Sequence, residues 1–156
     1  TRAWSTRYNP EDPQSPGYAE VIANPSLQNP VYTSERAVLE EYIQGMMAIL
    51  DEVGNGKISD PFGSDIQHAN VELVESPYSW NSLADFTNNI RSVYNIYTGS
   101  YGNTKGAGIK DFVKAKNPGL AQRVEFEILR SMQQIQKISG PNQDMPFRQA
   151  ILNADA

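Results

Sequence analysis

The residues Ser76-Pro77-Tyr78-Ser79-Trp80-Asn81-Ser82 gather three serine hydroxyls, an amide, a tyrosine and a tryptophan just before a segment of helical periodicity. Backbone N–H groups at a helix start, joined by Ser and Asn side chains, form a natural anion or oxyanion pocket. The same residue types also serve as helix caps and turn formers, so a purely architectural role competes with the chemical one. A nucleophilic serine would need a base. The single histidine, His68, is linked to these serines by no motif.

Three other groupings invite chemistry. His68 is flanked in sequence by Asp65, Glu72 and Glu75; oxygen donors of this kind suit calcium, magnesium or ferric iron, but the spacing matches no metal-binding loop, and a solvated charged loop is the plainer reading. Gly54-Asn55-Gly56-Lys57 lacks the spacing of a phosphate loop and follows a helix where that motif follows a strand, so it reads as a helix terminus. Tyr94, Tyr97 and Tyr101 fall at i, i+3 and i+7. That stripe reads as packing surface with hydroxyls at its rim, haem ligation by tyrosine being the exception.

These groups must be held by helices. Five of the ten prolines lie in the first thirty residues, so residues 1–30 are expected to be extended or looped, with one short helical turn near Tyr18–Ala23. Trp4, Tyr8 and Tyr18 suggest that this stretch packs against something. A helix is expected from Ser34 to Val53, capped by Thr33 or Ser34, with Leu39, Tyr42, Ile43, Met46, Leu50 and Val53 on one face. Gly54 and Gly56 are expected to stop it, and Gly45 within it suggests a close approach of another helix.

Residues 57–81 read as a long loop, and loops of that length in small domains tend to be functional or mobile. A second helix starts near Ser82, with Ser82-x-x-Asp85 as a variant capping box and Leu83, Phe86, Ile90, Val93 and Tyr97 facing inward. Glycines at 99, 102, 106 and 108 mark a flexible connection. A short helix over Ile109–Lys116 is anchored by Phe112 and Val113. Asn117-Pro118 then opens a helix of about six turns that carries Leu120, Val124, Ile128, Met132, Ile135 and Ile138 on one face. Gly140-Pro141 ends it, and Pro146 opens a last short helix through Ile151.

No segment alternates as a strand, so the fold class is all-α: a helical bundle with long connecting loops, organised as a Pro-rich segment over residues 1–33 and a bundle over 34–156. At 156 residues with 39% hydrophobic and 20% charged content, the chain is of globular composition. A net charge of −5 without a basic cluster disfavours nucleic acid or anionic membrane as a partner. The absence of cysteine excludes disulfides, thiolate catalysis and Cys-ligated zinc. The longest apolar run, Met46–Leu50, is far too short to span a bilayer.

From about Tyr32 to Ile151 the sequence resembles the C-terminal half of the imelysin family, helical proteins of the bacterial envelope associated with iron acquisition. The resemblance is carried by Gly45, Asp51-Glu-Val-Gly-Asn-Gly-Lys57, Val74-Glu-Ser-Pro77, Ser79, Asn81-Ser82, Asp85-Phe86, Asn89-Ile90, Tyr97, Gly99 and Pro146-Phe147. It implies two related helical halves with a functional site at their interface. The family's metal-associated signature, Gly-x-His-x-x-Glu, belongs to the first half and does not occur here, so no metal ligand carries over to any position.

What the resemblance implies for this chain is an interface contribution from Glu75, Ser79, Trp80, Asn81, Ser82 and Asp85, through hydrogen bonding and positioning. Trp80 stands where some relatives are expected to carry His, which argues against direct ligation at that point. The implied role is a non-enzymatic component of bacterial iron or haem uptake, exported to the periplasm or held at the outer membrane. Its ligand, iron or haem, would be bound jointly with an N-terminal half, alongside iron-uptake partners of the envelope. Two alternatives stand beside it: an envelope metallopeptidase whose zinc ligands lie in the other half, and a helical interaction module without ligand. A zinc peptidase needs ligands and a general base, as in His-Glu-x-x-His, and this chain has no such constellation.

Overall fold

Each long helix of the structure, a computed structural model in which residues 2–153 are described, follows an apolar stripe with a local start signal. The chain divides into two compact units, residues 1–45 and 46–156.

In the first unit, α1 (Arg2–Ser5) and α2 (Tyr18–Ala23) are short, as the prolines demand, though α1 adds a helical turn where only extended chain is expected. The aromatic residues pack against one another. Trp4 and Tyr18 have ring centroids 6.0 Å apart, Tyr18 and Tyr32 6.3 Å. The Tyr18 and Tyr32 hydroxyls are hydrogen-bonded at 2.5 Å, a bond that, with burial, raises the Tyr32 pKa. Asn29 ties the following loop together. Its amide nitrogen donates to the Val21 and Asn24 carbonyls at 2.6 and 2.9 Å, and its oxygen accepts from the N–H groups of Val31 and Tyr32. Ser34 then caps α3 (Glu35–Asp51) by accepting from the Ala37 N–H at 3.2 Å.

The helix does not stop at Gly54. Residues Glu52–Ser59 continue as a π-helix and Asp60–Phe62 as α4, ending at Gly63 with φ of 70°. The glycines at 54 and 56 are not in the left-handed conformation that a glycine stop needs, and open space surrounds both. Burial of Val53 and Pro61 rewards continued winding, and the wider turns are braced by Asn55 donating to Asp51 at 2.6 Å and Ser59 to the Gly54 carbonyl at 2.7 Å. Residues 57–81 are therefore only partly loop, since a 3₁₀ turn at Val71–Leu73 interrupts the remainder. Of the expected stripe on the first long helix, only Met46 and Val53 are buried, and a Cβ at Gly45 would meet no neighbour, so no close helix approach accounts for that glycine.

The core of the second unit is α5 (Ser82–Thr98) against α7 (Pro118–Lys137), with α6 (Ile109–Lys116) packed on both. Phe86, Ile90, Val93 and Tyr97 supply the α5 face. From α7 come Ala121, Ile128, Met132 and Ile135, while Leu120 at the first turn stays 48% exposed. The anchor of α6 is Ile109, not the expected Phe112, which is 61% exposed. Asn117 caps α7 through the Leu120 N–H at 3.0 Å, as its Asn-Pro start predicts. The buried Tyr97 hydroxyl donates to the Ala121 carbonyl at 3.0 Å, and Lys110 pairs with Glu125 at 2.7 Å.

Between α5 and α6 the chain makes a small antiparallel hairpin, β1 (Ser100–Tyr101) with β2 (Thr104–Lys105). This hairpin breaks up the expected tyrosine stripe: Tyr97 is buried on α5, whereas Tyr101 lies on β1, exposed. Gly99 ends α5 at φ of 65°, and its side-chain position lies 2.6 Å from the Ala107 backbone, so only glycine lets the two strands of chain cross there. At the far end, α8 (Phe147–Ala150) docks through Phe147, edge-on to Phe86 at 5.3 Å and 81°.

Candidate functional site

The turn before α5 is built on two residues in the left-handed region, Ser76 at φ of 57° and Trp80 at 59°. Such positions cost about 1–3 kcal/mol each for a residue with a Cβ, so other interactions must hold them. The Trp80 N–H donates to the Ser76 carbonyl at 3.1 Å, closing the turn. Ser76 Oγ donates to Asp85 Oδ2 at 2.7 Å and Asn81 Nδ2 to Asp85 Oδ1 at 2.8 Å, so one carboxylate on the first turn of α5 clasps both ends of the turn. That carboxylate also lies at the positive end of the helix dipole. Ser82 Oγ points back to the Glu75 carbonyl at 2.5 Å.

Two expectations change accordingly. Asn81, not Ser82, is the N-cap residue of α5, and its side chain makes no capping bond because it is engaged by Asp85. The capping box is replaced by the clasp. The anion pocket does not form from these side chains either: the donors that would face an anion are already satisfied by Asp85 and by backbone carbonyls. Ser79 Oγ, at 3.4 Å from the Ser76 carbonyl, makes only a long bond.

The π-helix supplies the second support. Lys57 Nζ lies 3.1 Å from Glu75 and 3.3 Å from Glu52. Burial works against the Lys57 charge, but the hydrogen bonds it donates to Glu75 and Glu52 outweigh it and raise its pKa above the ordinary lysine value. Lys57 is the positioning residue that motif reading passes over, since its partner lies beyond a loop.

The four acidic and imidazole groups near His68 do not converge. His68 Nδ1 is 2.7 Å from Asp65 Oδ1 on an exposed turn, and that contact lowers the Asp65 pKa. Glu72 faces Arg148 at 3.4 Å and Glu75 faces Lys57. Among the described residues no group of three His, Asp or Glu side chains could hold a metal ion. The described donors thus do not fit a resident metal, and none of the serines of the turn is bonded to His68.

Of the six expected site residues, Glu75, Asn81, Ser82 and Asp85 join one hydrogen-bonded clasp with Ser76 and Lys57, with Ser79 at its edge. Trp80 alone faces a groove, about 400 Å3 in volume, whose walls continue along α5 and the segment after α7. Trp80 is 50% exposed.

Comparison with known proteins gives this arrangement a family. The chain is 26% identical over 127 residues to iron-regulated protein A of Synechococcus elongatus, covering 81% of this chain and 35% of that protein. A crystal structure of an imelysin peptidase from Bacteroides ovatus superposes with a TM-score of 0.81 at 29% identity, over 99% of this chain and 42% of that one. A putative iron-regulated protein A precursor from Parabacteroides distasonis gives 0.74 at 26% identity, over 96% of this chain and 47% of that one. The chain therefore spans less than half the length of each of these relatives. The imelysin (peptidase M75) profile matches it from residue 1 to residue 156, and with a shared helical path at both solved relatives, the chain belongs to the imelysin family.

Proposed function

We propose that this chain is a non-enzymatic component of bacterial iron uptake, exported to the envelope, which binds iron or haem jointly with a second helical half. The observation that carries the reading is its likeness, over 81% of its length, to a protein named for its regulation by iron. A second relative named as a precursor supports export. Joint binding is supported by length and by chemistry. The solved relatives are more than twice as long as this chain, and the Lys57–Glu75 and Ser76–Asp85–Asn81 contacts leave a rigid turn, not a ligand cage. In this reading the turn presents Ser79 and the outer edges of Glu75 and Asp85 to the other half, which brings the metal donors. Apolar side chains left open on α7, such as Leu120 and Phe126, offer it packing surface.

The Bacteroides ovatus relative is named as a peptidase, and this favours a second reading, a peptidase whose metal ligands all lie in the other half. Purification of the family-length protein and of this chain alone from iron-replete cells, followed by iron and haem analysis and a chelator-controlled peptide-cleavage assay, separates the two. The uptake reading expects stoichiometric iron or haem in the long form and no chelator-sensitive cleavage. Chelator-sensitive cleavage by the long form overturns it.

A further inference from the structure

The groove beside Trp80 is lined by none of the clasp residues Lys57, Glu75, Ser76, Asn81, Ser82 or Asp85. We propose that it is a saccharide-binding site, in which the indole stacks on a neutral sugar ring and side-chain amides bond the ring hydroxyls. Its volume of about 400 Å3 lies within the about 300–1,000 Å3 of small-molecule sites. Asn88 on α5, Gln136 on α7 and Gln143 beyond it border the groove with exposed side chains. Each amide offers donors and an acceptor together, as a hydroxyl-bearing ligand requires. Leu83, Ala84 and Met145 also line the groove and offer apolar surface for the C–H face of a sugar.

The alternatives fit the lining less well. No Lys, Arg or His borders the groove, while Asp144 does, so an anionic ligand would meet repulsion without compensation. One carboxylate is too few donors for a metal. Amides in the lining disfavour a lipid chain, and no strand edge borders the groove to extend a peptide by backbone pairing. Trp80 is poised as a platform, because the turn closed by its own N–H on the Ser76 carbonyl holds a residue that stays half exposed.

The sequence has two tryptophans, Trp4 and Trp80, so Trp4→Phe leaves Trp80 as the single indole reporter. The full chain bearing Trp4→Phe is titrated with cellohexaose, chitohexaose, mannohexaose and a proline-rich decapeptide while indole emission is followed. The proposal expects saturable change with at least one oligosaccharide and none with the peptide. Calorimetry with that saccharide should show about tenfold weaker binding for Trp80→Ala and a several-fold loss for Asn88→Ala and Gln143→Ala. The two amide variants lie outside the Ser76–Trp80 turn and keep the test valid if Trp80→Ala disturbs it. No response to any oligosaccharide, response to the peptide alone, or binding that survives all three substitutions overturns the proposal.

Discussion

Lys57 and Glu75 stand 3.1 Å apart across a gap of eighteen residues, and their contact joins the π-helical segment to the strained turn that opens α5. The side chain of Lys57 is only 17% exposed, whereas Glu75 is 41% exposed, so the pair is held from the lysine side. A π-helix within a helical run is rare and often found at functional sites; here it is the segment that carries Lys57. Lys57→Met is expected to lower stability by about 1 kcal/mol, and a double-mutant cycle with Glu75→Gln should recover a coupling of similar size. Urea denaturation checks both. Additive single-mutant effects would mean that the bridge does not tie the segments.

The clasp has its own consequence. Asp85→Ala removes the common acceptor of Ser76 and Asn81 and frees a turn that holds two residues at positive φ. The expected cost is about 1–2 kcal/mol, with a change in Trp80 emission in a Trp4→Phe background. Unchanged emission would show that the turn holds without the clasp.

Stability should fall on the alkaline side. The folded state raises the pKa of Lys57, where hydrogen bonds to Glu75 and Glu52 overcome an opposing burial effect, and that of Tyr97 through burial of its phenol. A group whose pKa is raised by folding stabilises the protein fully below its unfolded value and loses that contribution as pH climbs through the folded value. The unfolded values are 10.5 for lysine and 10.0 for tyrosine, so denaturation midpoints should hold from neutral pH to about 10 and then decline. In Tyr97→Phe the Tyr97 share of that decline disappears. A flat midpoint through the alkaline range in the parent protein would contradict the burial of Tyr97.

The α8 helix docks chiefly through a ring pair. Phe86 and Phe147 are almost wholly buried and meet edge to face at 5.3 Å. Phe147→Ala should cost about 3–5 kcal/mol and release α8 first, seen as faster amide exchange over Phe147–Ile151. Equal loss of protection along α5 and α7 would mean that α8 is not a separate unit of opening.

Much of this was legible in the residues where the signal is local. Asn117-Pro118 opens α7 and the Phe86–Tyr97 spacing defines the inner face of α5, because caps and helical periodicity act within a few residues. Gly54 and Gly56 mislead for the converse reason. Glycine permits a left-handed stop without imposing it, and burial of Val53 and Pro61, a tertiary effect, favours winding on. Phe112 and Leu120 show the other limit: periodicity gives the apolar side of a helix, not whether another element covers it. At the candidate site, the residue types of the Ser-rich turn single out a segment that the structure draws into one hydrogen-bonded clasp. Which hydroxyls face a ligand and which face Asp85 depends on the positive φ of Ser76 and Trp80, and spacing does not encode it.

Joint binding of iron or haem with a second helical half is put to the test by calorimetric titration of ferric citrate and of haemin. The family-length protein and this chain alone are titrated side by side. One-to-one binding of one of the two ligands by the long protein, and none by the chain alone, is the predicted result. Binding of equal strength by this chain alone, or no binding of either ligand by the long protein, would contradict it.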